Sequence, residues 1–256
     1  MGRELFNDGS HACVMYSDLV TDGGEAVQAN QFLIIDHGHA AVLDPGGTMT
    51  YNQLFIGLQK YCNPKDLDLI LASHADPDIV GSVNRWMVGT EAKVYVSAIW
   101  SRFIPHFCQP GRTDGRIVAI PDPGMRIPLG KSHVIAVPAH FLHAEGNFQF
   151  FDPVSRILFT GDMGVSLVGS SQAGDAVTDF DAHVKLMEGF HRRYMTSNKI
   201  IRLWSAMVRQ LDPEALVPQH GKPMIGKPLV RRFLDWIDTV PCGVDLMTQE
   251  SYRIPA

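Results

Sequence analysis

Ser73-His74-Ala75-Asp76-Pro77-Asp78 places one histidine and two aspartates directly after Asp66–Ala72, a mostly apolar run that we expect to be a buried strand. Three further short motifs place a histidine or an aspartate where a predicted strand ends, at His143, Asp162 and His220. Strand ends followed by glycine or proline project polar groups into a cleft. We therefore expect the four motifs to meet at one place in the fold.

The polar side chains of these motifs are of the types that hold zinc, iron and manganese in proteins. The set consists of His74, Asp76, Asp78, His143, Asp162 and His220. Three imidazoles and three carboxylates are too many for one tetrahedral zinc, but they suit two metal ions that share a carboxylate. Without cations the aspartates would repel one another. A His-x-Asp-x-Asp pattern alone is more often a solvated loop, so the prediction depends on the ordered set of motifs.

The pattern of the chain predicts one compact unit, with short strands in the first two thirds and helices at both ends. The predicted hairpin joins Gln31–Asp36 to Ala40–Leu43 through a turn at His37 and His39. Helical spacing predicts helices over Met49–Lys60, Val80–Val88, Phe180–Tyr194, Ser197–Leu211 and Lys227–Asp238. Strand meanders interleaved with helices predict a sheet sandwich with helices outside.

The composition excludes several classes of protein. The chain has 256 residues, is 45% hydrophobic and has a formal net charge of −5, which argues against a nucleic-acid binder. The apolar runs are strand-sized, far below the roughly 20 residues that span a bilayer, and no run of basic residues favours a membrane surface. The N-terminus lacks the apolar core of a signal peptide. Four scattered cysteines without a CxxC pair are typical of buried thiols in the cytoplasm.

The motifs resemble those of the metallo-β-lactamase superfamily, whose fold is an αββα sandwich in the α/β (α+β) class. The superfamily's first motif, His-x-His-x-Asp-His, becomes His-x-Glu-x-Asp in the flavodiiron branch, and His74-Ala75-Asp76-Pro77-Asp78 likewise has a carboxylate at its second position. The stretches Pro138–Phe150 and Leu158–Asp162 are similar to the flavin-free, oxygen-binding diiron proteins of that branch. The likeness covers most of residues 30–225.

The resemblance implies a ligand set for two non-haem iron ions, with zinc or manganese as other possible metals. His74, Asp76 and His143 would bind one ion, Asp78 and His220 the other, and Asp162 would bridge them. A hard carboxylate oxygen at Asp76 would stabilise ferric iron and favour electron donation to O2.

Two positions depart from the family patterns. Asp76 is one methylene shorter than the usual glutamate, and Ile79 stands where the hydrolases of the superfamily carry a histidine. We expect the missing imidazole to leave an open metal position near Ile79, beside an apolar wall that suits a small gas. His140 is a candidate for a hydrogen-bonding group over that position, and a surface or core histidine is an equal alternative.

Other residues near the motifs leave two interpretations open. Asp44 is a candidate for a carboxylate near the metals or for a turn cap, and Glu145 for a pocket carboxylate or part of a turn. The aromatic cluster around Phe148 is predicted to be sheet core, with one member as a candidate for the pocket wall.

Two functions are favoured by the sequence, and a partner-binding module with a degenerate site is a third, weaker interpretation, because all six candidate ligands are present. The first is a diiron protein that binds O2 or NO, as an oxygen sensor or as a scavenging oxidoreductase. The alternative is a dinuclear hydrolase of phosphodiesters, thioesters or lactones, against which Asp76 and Ile79 both count. Residues 1–256 are predicted to be a single domain without the flavodoxin domain of flavodiiron proteins, so turnover needs a separate electron donor or the protein acts through a signalling partner. A homo-oligomer is expected from the resemblance.

Overall fold

The computed structural model describes residues 2–20 and 27–255 and contains two β-sheets. Strands of the first sheet follow chain order and are β1 Arg3–Asn7, β2 His11–Tyr16, β3 Gln31–Asp36, β4 His39–Leu43, β5 Leu69–Leu71, β6 Lys93–Ser97 and β7 Ile117–Ile120. The first four strands pair antiparallel and the last four pair parallel. The parallel half brings the carboxyl ends of β4, β5 and β6 to one edge.

The second sheet has the order β13-β12-β11-β10-β9-β8. Its strands are β8 Met125–Leu129, β9 Ser132–Pro138, β10 Phe148–Asp152, β11 Ile157–Phe159, β12 Ala215–Val217 and β13 Met224–Ile225. Only β11 and β12 pair parallel, so the segments that follow these two strands leave the sheet side by side.

Seven α-helices lie in the described ranges. They are α1 Tyr51–Leu58, α2 Pro77–Val80, α3 Val83–Gly89, α4 Ser170–Ala173, α5 Phe180–Tyr194, α6 Asn198–Leu211 and α7 Lys227–Ile237. Short 3-10 turns lie at Pro64–Asp66, Ile104–Phe107, Gly243–Leu246 and Gln249–Tyr252. Among the helices of residues 2–20 and 27–255, none combines the length and the apolar character needed to cross a membrane.

Three hydrophobic clusters account for the layers. One lies between the sheets, where Phe32 of β3 packs on Phe159 of β11 with ring centroids 4.8 Å apart. A second cluster packs α1 and α3 on the outer face of the first sheet, and a third packs α5, α6 and α7 on the outer face of the second. Each sheet is therefore covered on both faces, and the predicted αββα sandwich is confirmed.

The helix boundaries follow capping residues. The Asp179 side chain accepts a hydrogen bond from the backbone N–H of Ala182 and starts α5, and Ser197 caps α6 in the same way. These two helices match their predicted spans. The single helix predicted over Val80–Val88 is wrong, because Ser82 donates its backbone N–H to the Gly46 carbonyl and so breaks the segment into α2 and α3.

Candidate metal centre

The loops that carry the predicted ligands meet at one edge of the sandwich. His74 follows β5, and Asp76 and Asp78 lie at the start of α2. His143 precedes β10, while Asp162 and His220 follow the parallel strands β11 and β12. The N–H of Phe148, at the start of β10, donates to the Ser73 carbonyl over 2.9 Å. This bond joins the two sheets next to the centre.

One group of side chains surrounds the second carboxylate oxygen of Asp162. Asp162 Oδ2 lies 2.8 Å from His143 Nε2 and 3.6 Å from His74 Nε2. Asp76 Oδ2 lies 3.4 Å from His143 Nε2 and 3.6 Å from His74 Nε2. Ligand atoms of all four residues lie within 4.8 Å of one another, close enough to share one metal ion.

A second group surrounds the other oxygen of Asp162. His220 Nε2 lies 3.6 Å from Asp162 Oδ1 and 3.4 Å from Asp78 Oδ2. Asp162 is only 3% exposed, and its Oδ1 has no hydrogen-bond partner among the described residues. A buried, unpaired carboxylate oxygen is costly, and a cation between Asp162 and His220 would satisfy it. The residues present therefore fit a metal pair.

The imidazole rings are oriented by hydrogen bonds at their other nitrogen. Ser73 Oγ lies 2.9 Å from His74 Nδ1, and the backbone carbonyl of Gln28 accepts a hydrogen bond from His220 Nδ1 over 2.5 Å. Both bonds leave Nε2 facing the aspartates. Fixing the outer nitrogen in this way is how proteins orient histidine ligands.

Charge in the centre is balanced by ion pairs when no metal is bound. Burial opposes protonation of His143, but hydrogen bonds to Asp162 and Asp76 raise its pKa to about 10. The hydrogen bonds of His143 and His74 hold the pKa of Asp76 well below its usual range. Burial opposes ionisation of Asp162, yet its contacts with the histidines lower its pKa. Divalent cations would replace these imidazole protons and preserve the attraction to the carboxylates.

Asp44 lies behind the centre. It is buried, and its Oδ1 accepts a hydrogen bond of 2.8 Å from the backbone N–H of Ser73, the residue before His74. Burial raises the pKa of the Asp44 carboxyl to about 6. Of the two open interpretations, Asp44 therefore supports the loop that carries His74.

A cavity of about 500 Å³ opens over the centre, and its walls are largely apolar. Five of the predicted ligands contribute to its floor, namely Asp76, Asp78, His143, Asp162 and His220. Tyr194 and Phe190, one turn apart on α5, form part of its wall and stack with centroids 4.4 Å apart. The Tyr194 ring lies 5.8 Å from that of His143. Sequence reasoning missed this wall, since aromatic residues at helical spacing usually indicate core.

Ile79 and His140 do not lie beside the cavity as expected, and the open metal position itself stays a prediction. The Ile79 side chain is fully buried and packs in the hydrophobic cluster on the outer face of the first sheet, because α2 turns it away from the centre. His140 Nε2 instead lies 2.9 Å from the carbonyl oxygen of Asp122, and its ring packs against Phe148. Neither side chain lines the cavity.

The remaining candidates lie away from the cavity. Glu145 is exposed and does not line it. His37 lies in the predicted hairpin turn, and His39 begins β4. Phe148 and Phe150 are sheet core as expected, whereas Phe141 is 47% exposed. A second group of metal-binding types, His11, Cys13 and Asp152, was not found from the sequence. His11 and Cys13 lie on β2, a strand that the sequence pattern did not predict, and Asp152 lies 141 residues after His11, at the end of β10.

A family model described as ODP family beta lactamase matches residues 27–221, well over half of the chain. The chain belongs to the ODP family. One similar solved structure is the peroxy diiron species of the chemotaxis sensor ODP, which is 37% identical, with 98% of this chain and 99% of that chain covered and a TM-score of 0.86. The predicted membership of the diiron branch of the superfamily is thereby confirmed.

One more distant relative of this ODP family member shares its fold, and another is similar in sequence. The rubredoxin oxygen:oxidoreductase of Desulfovibrio gigas is 14% identical with a TM-score of 0.76, over 93% of this chain and 62% of that one. An uncharacterised protein of Methanocaldococcus jannaschii is 24% identical over 210 residues, or 81% of this chain. The chain spans about half the length of that curated relative.

Proposed function

We propose that this chain is a non-haem diiron protein that binds O2 and acts as an oxygen sensor, with NO as a second ligand of the same centre. The observation that carries the proposal is the intact centre of three histidines and three aspartates. Support comes from the similar sensor ODP, which is 37% identical over nearly the whole chain and forms a peroxy diiron species.

The proposed ligand assignment follows the distances. His74, Asp76 and His143 hold one iron ion, and Asp78 and His220 hold the other. Asp162 bridges the two ions because its two oxygens face the two groups separately. Each histidine ligates through Nε2, and at His74 and His220 the other nitrogen is held by Ser73 and by the Gln28 carbonyl.

Bound ferrous iron supplies the electrons that O2 needs, and carboxylate ligands favour that donation. The protein's own side chains position and shield the centre. Asp44 holds the backbone before His74, and the largely apolar cavity beside Phe190 and Tyr194 offers a small uncharged gas a place next to the ligands. The half-exposed Tyr194 ring keeps the cavity in contact with solvent, so that gas can enter.

Four further statements belong to the proposal. Residues 1–256 form a single metallo-β-lactamase-like domain, and any multiple turnover draws electrons from a separate donor protein. The protein forms a homo-oligomer, as its resemblance to flavodiiron proteins implies. It acts in the cytoplasm, where thiols such as Cys13 and Cys242 stay reduced.

The deciding experiment is an optical spectrum of anaerobic protein loaded with two ferrous ions per chain, recorded before and after air is added. We expect a new visible or near-ultraviolet band that forms rapidly and persists for minutes without reductant. A band that decays and consumes added reductant would assign an oxidase rather than a sensor.

Two histidine variants provide the matched comparison. His143→Ala is expected to lower the iron content and abolish the band, whereas His140→Ala, which changes a ring outside the cavity, should retain both. Wild-type protein with two ferrous ions and no spectral response to O2 would contradict the proposal. Metal-dependent hydrolysis of a phosphodiester, thioester or lactone in that same protein would assign the hydrolase.

A further inference from the structure

A second cluster of polar side chains lies between the two sheets, at the edge opposite to the metal centre. Strand β10 begins at Phe148, beside the centre, and ends at Asp152, about 13 Å further along at 3.3 Å per residue. There Asp152 meets His11 and Cys13 of β2, and all three side chains are at most 2% exposed. We call His11, Cys13, Asp36, Asp152 and Ser155 the edge cluster.

Three ligand atoms of the edge cluster form a triangle of suitable size for one metal ion. His11 Nε2 lies 2.9 Å from Asp152 Oδ2, and Cys13 Sγ lies 3.5 Å from that oxygen and 3.8 Å from the nitrogen. In tetrahedral zinc sites, bonds of about 2.0 Å to nitrogen and oxygen and about 2.3 Å to sulfur separate the ligand atoms by roughly 3.3–3.6 Å. Shifts of a few tenths of an ångström convert one arrangement into the other.

The surroundings of His11 match those of a metal-bound histidine. Its Nδ1 lies 3.0 Å from Asp36 Oδ1, so that carboxylate accepts the ring proton and turns Nε2 toward Asp152 and Cys13. Asp36 is fixed in turn, because its Oδ2 accepts the backbone N–H of Lys131 over 2.6 Å. A carboxylate on the outer nitrogen is the usual partner of a zinc-bound histidine.

Hydrogen bonds within the edge cluster leave one strong acceptor unsatisfied. Asp152 is fully buried; its Oδ2 accepts from His11 and Ser155, but its Oδ1 has no partner among the described residues. In addition, burial and the neighbouring Asp152 charge raise the pKa of the Cys13 thiol, so without a cation this sulfur is a weak donor. A metal ion would engage both atoms.

We propose that the edge cluster is a structural zinc site, in which His11 Nε2, Cys13 Sγ and both carboxylate oxygens of Asp152 bind one Zn²⁺. The thiolate of Cys13 favours zinc as the bound metal. The candidate ligands of the first centre, in contrast, offer only oxygen and nitrogen atoms. All three ligand residues are buried, and their four donor atoms leave no open coordination position, as in structural zinc sites. It would tie β2 of the first sheet to β10 of the second.

The proton balance supports exchange of the ion for two protons. A metal-free cluster with both ring nitrogens of His11 protonated, a neutral Cys13 and ionised Asp36 and Asp152 has a net charge of −1. Binding of Zn²⁺ releases the thiol proton and the Nε2 proton, while the Nδ1 proton stays with Asp36. The net charge of the cluster remains −1, so binding adds no uncompensated charge to the interior.

Cobalt(II) titration of metal-free protein tests the site, because Co²⁺ takes the geometry of zinc and a cobalt–thiolate bond absorbs strongly in the near ultraviolet. The candidate ligands of the first centre include no thiol, so this band reports on the edge cluster alone. Co²⁺ is added to folded protein and also during refolding of the full chain, since the site is buried. We expect the band to saturate at one ion per chain and to disappear when Zn²⁺ is added.

Variants identify the ligands. Cys13→Ser is expected to abolish the band, and Asp152→Asn to weaken Co²⁺ binding at least tenfold, whereas Cys62→Ser, which changes a half-buried thiol elsewhere, should leave both unchanged. His74→Ala should retain the band, which separates this site from the first centre. Circular dichroism checks that each variant folds. Absence of a thiolate band in wild-type protein under both loading conditions, or a band that survives Cys13→Ser, would overturn the proposal.

Discussion

His191 holds the loop that carries Asp162 through a hydrogen bond that only a neutral imidazole makes. The backbone N–H of Gly164, two residues after Asp162, donates to His191 Nε2 over 2.9 Å, and His191 Nδ1 donates to the Met187 carbonyl over 2.8 Å. The ring is fully buried. If His191 Nε2 carried a proton, it could no longer accept the hydrogen bond from the Gly164 N–H. We therefore expect acid to destabilise this part of the fold.

The size of the effect follows from the pKa. Burial lowers the pKa of His191 from 6.5 to about 4, and at 1.36 kcal/mol per unit this shift corresponds to about 3 kcal/mol. The unfolded chain takes up the proton below pH 6.5, whereas the folded chain does so only near pH 4. The stabilisation of the fold by neutral His191 is therefore complete above pH 6.5, and it is lost as the pH falls to about 4.

The measurement compares urea unfolding of metal-free wild-type protein and His191→Gln between pH 7 and pH 4.5. Glutamine does not titrate, so its cost is the same at every pH, and all other groups are common to both proteins. We expect the stability advantage of wild type to shrink by about 1.4 kcal/mol per pH unit below pH 6.5. If the difference in unfolding free energy between the two proteins does not change with pH, the conclusion that His191 is neutral in the folded protein is refuted.

Two further predictions concern the metal centre, and a third concerns the turn that follows His220. Asp162→Asn is expected to lower the metal content from two ions per chain to one or none, as measured by elemental analysis, because it removes the proposed bridge; full occupancy would contradict that role. Asp44→Asn should keep its hydrogen bond but remove a buried charge, and so weaken iron binding about 10–100-fold in chelator competition with little change in folding; unaltered affinity would show that the charge does not reach the metals. Gly221→Ala is expected to destabilise the fold by about 1–3 kcal/mol in urea, since Gly221 has φ +82° and a Cβ would overlap Ser166; wild-type stability would show that this turn relaxes freely.

Much of the secondary structure was predictable because local signals agreed with the packing. The amphipathic stripes of α5 and α6 were bounded by the caps Asp179 and Ser197. Strands β1 and β2 were not predicted. All six residues of β2 are buried, because the strand lies inside a sheet covered on both faces, and this removes the alternation that identifies a half-buried strand.

The convergence of the four motifs was predictable for a related reason. Each motif follows a strand whose end is marked by glycine or proline, and the parallel pairs β4–β5 and β11–β12 bring such ends to one edge. The direction of individual side chains was not predictable. Ile79 follows Asp78 directly, yet the turn of α2 sends its side chain into the core. The assignment of individual ligands stays a prediction.

The loops on either side of the centre divide its proposed ligands equally between the two halves of the chain. His74, Asp76 and Asp78 belong to the half that builds the first sheet, and His143, Asp162 and His220 to the half that builds the second. Neither half alone holds a complete shell for either ion. The metal ions therefore bind tightly only when the two halves of the chain are packed together. Their binding stabilises that packed form by RT ln(1 + [L]/Kd), where [L] is the free metal concentration. If the proposed ions are iron, iron supply would then affect how firmly the two halves of the chain are held together.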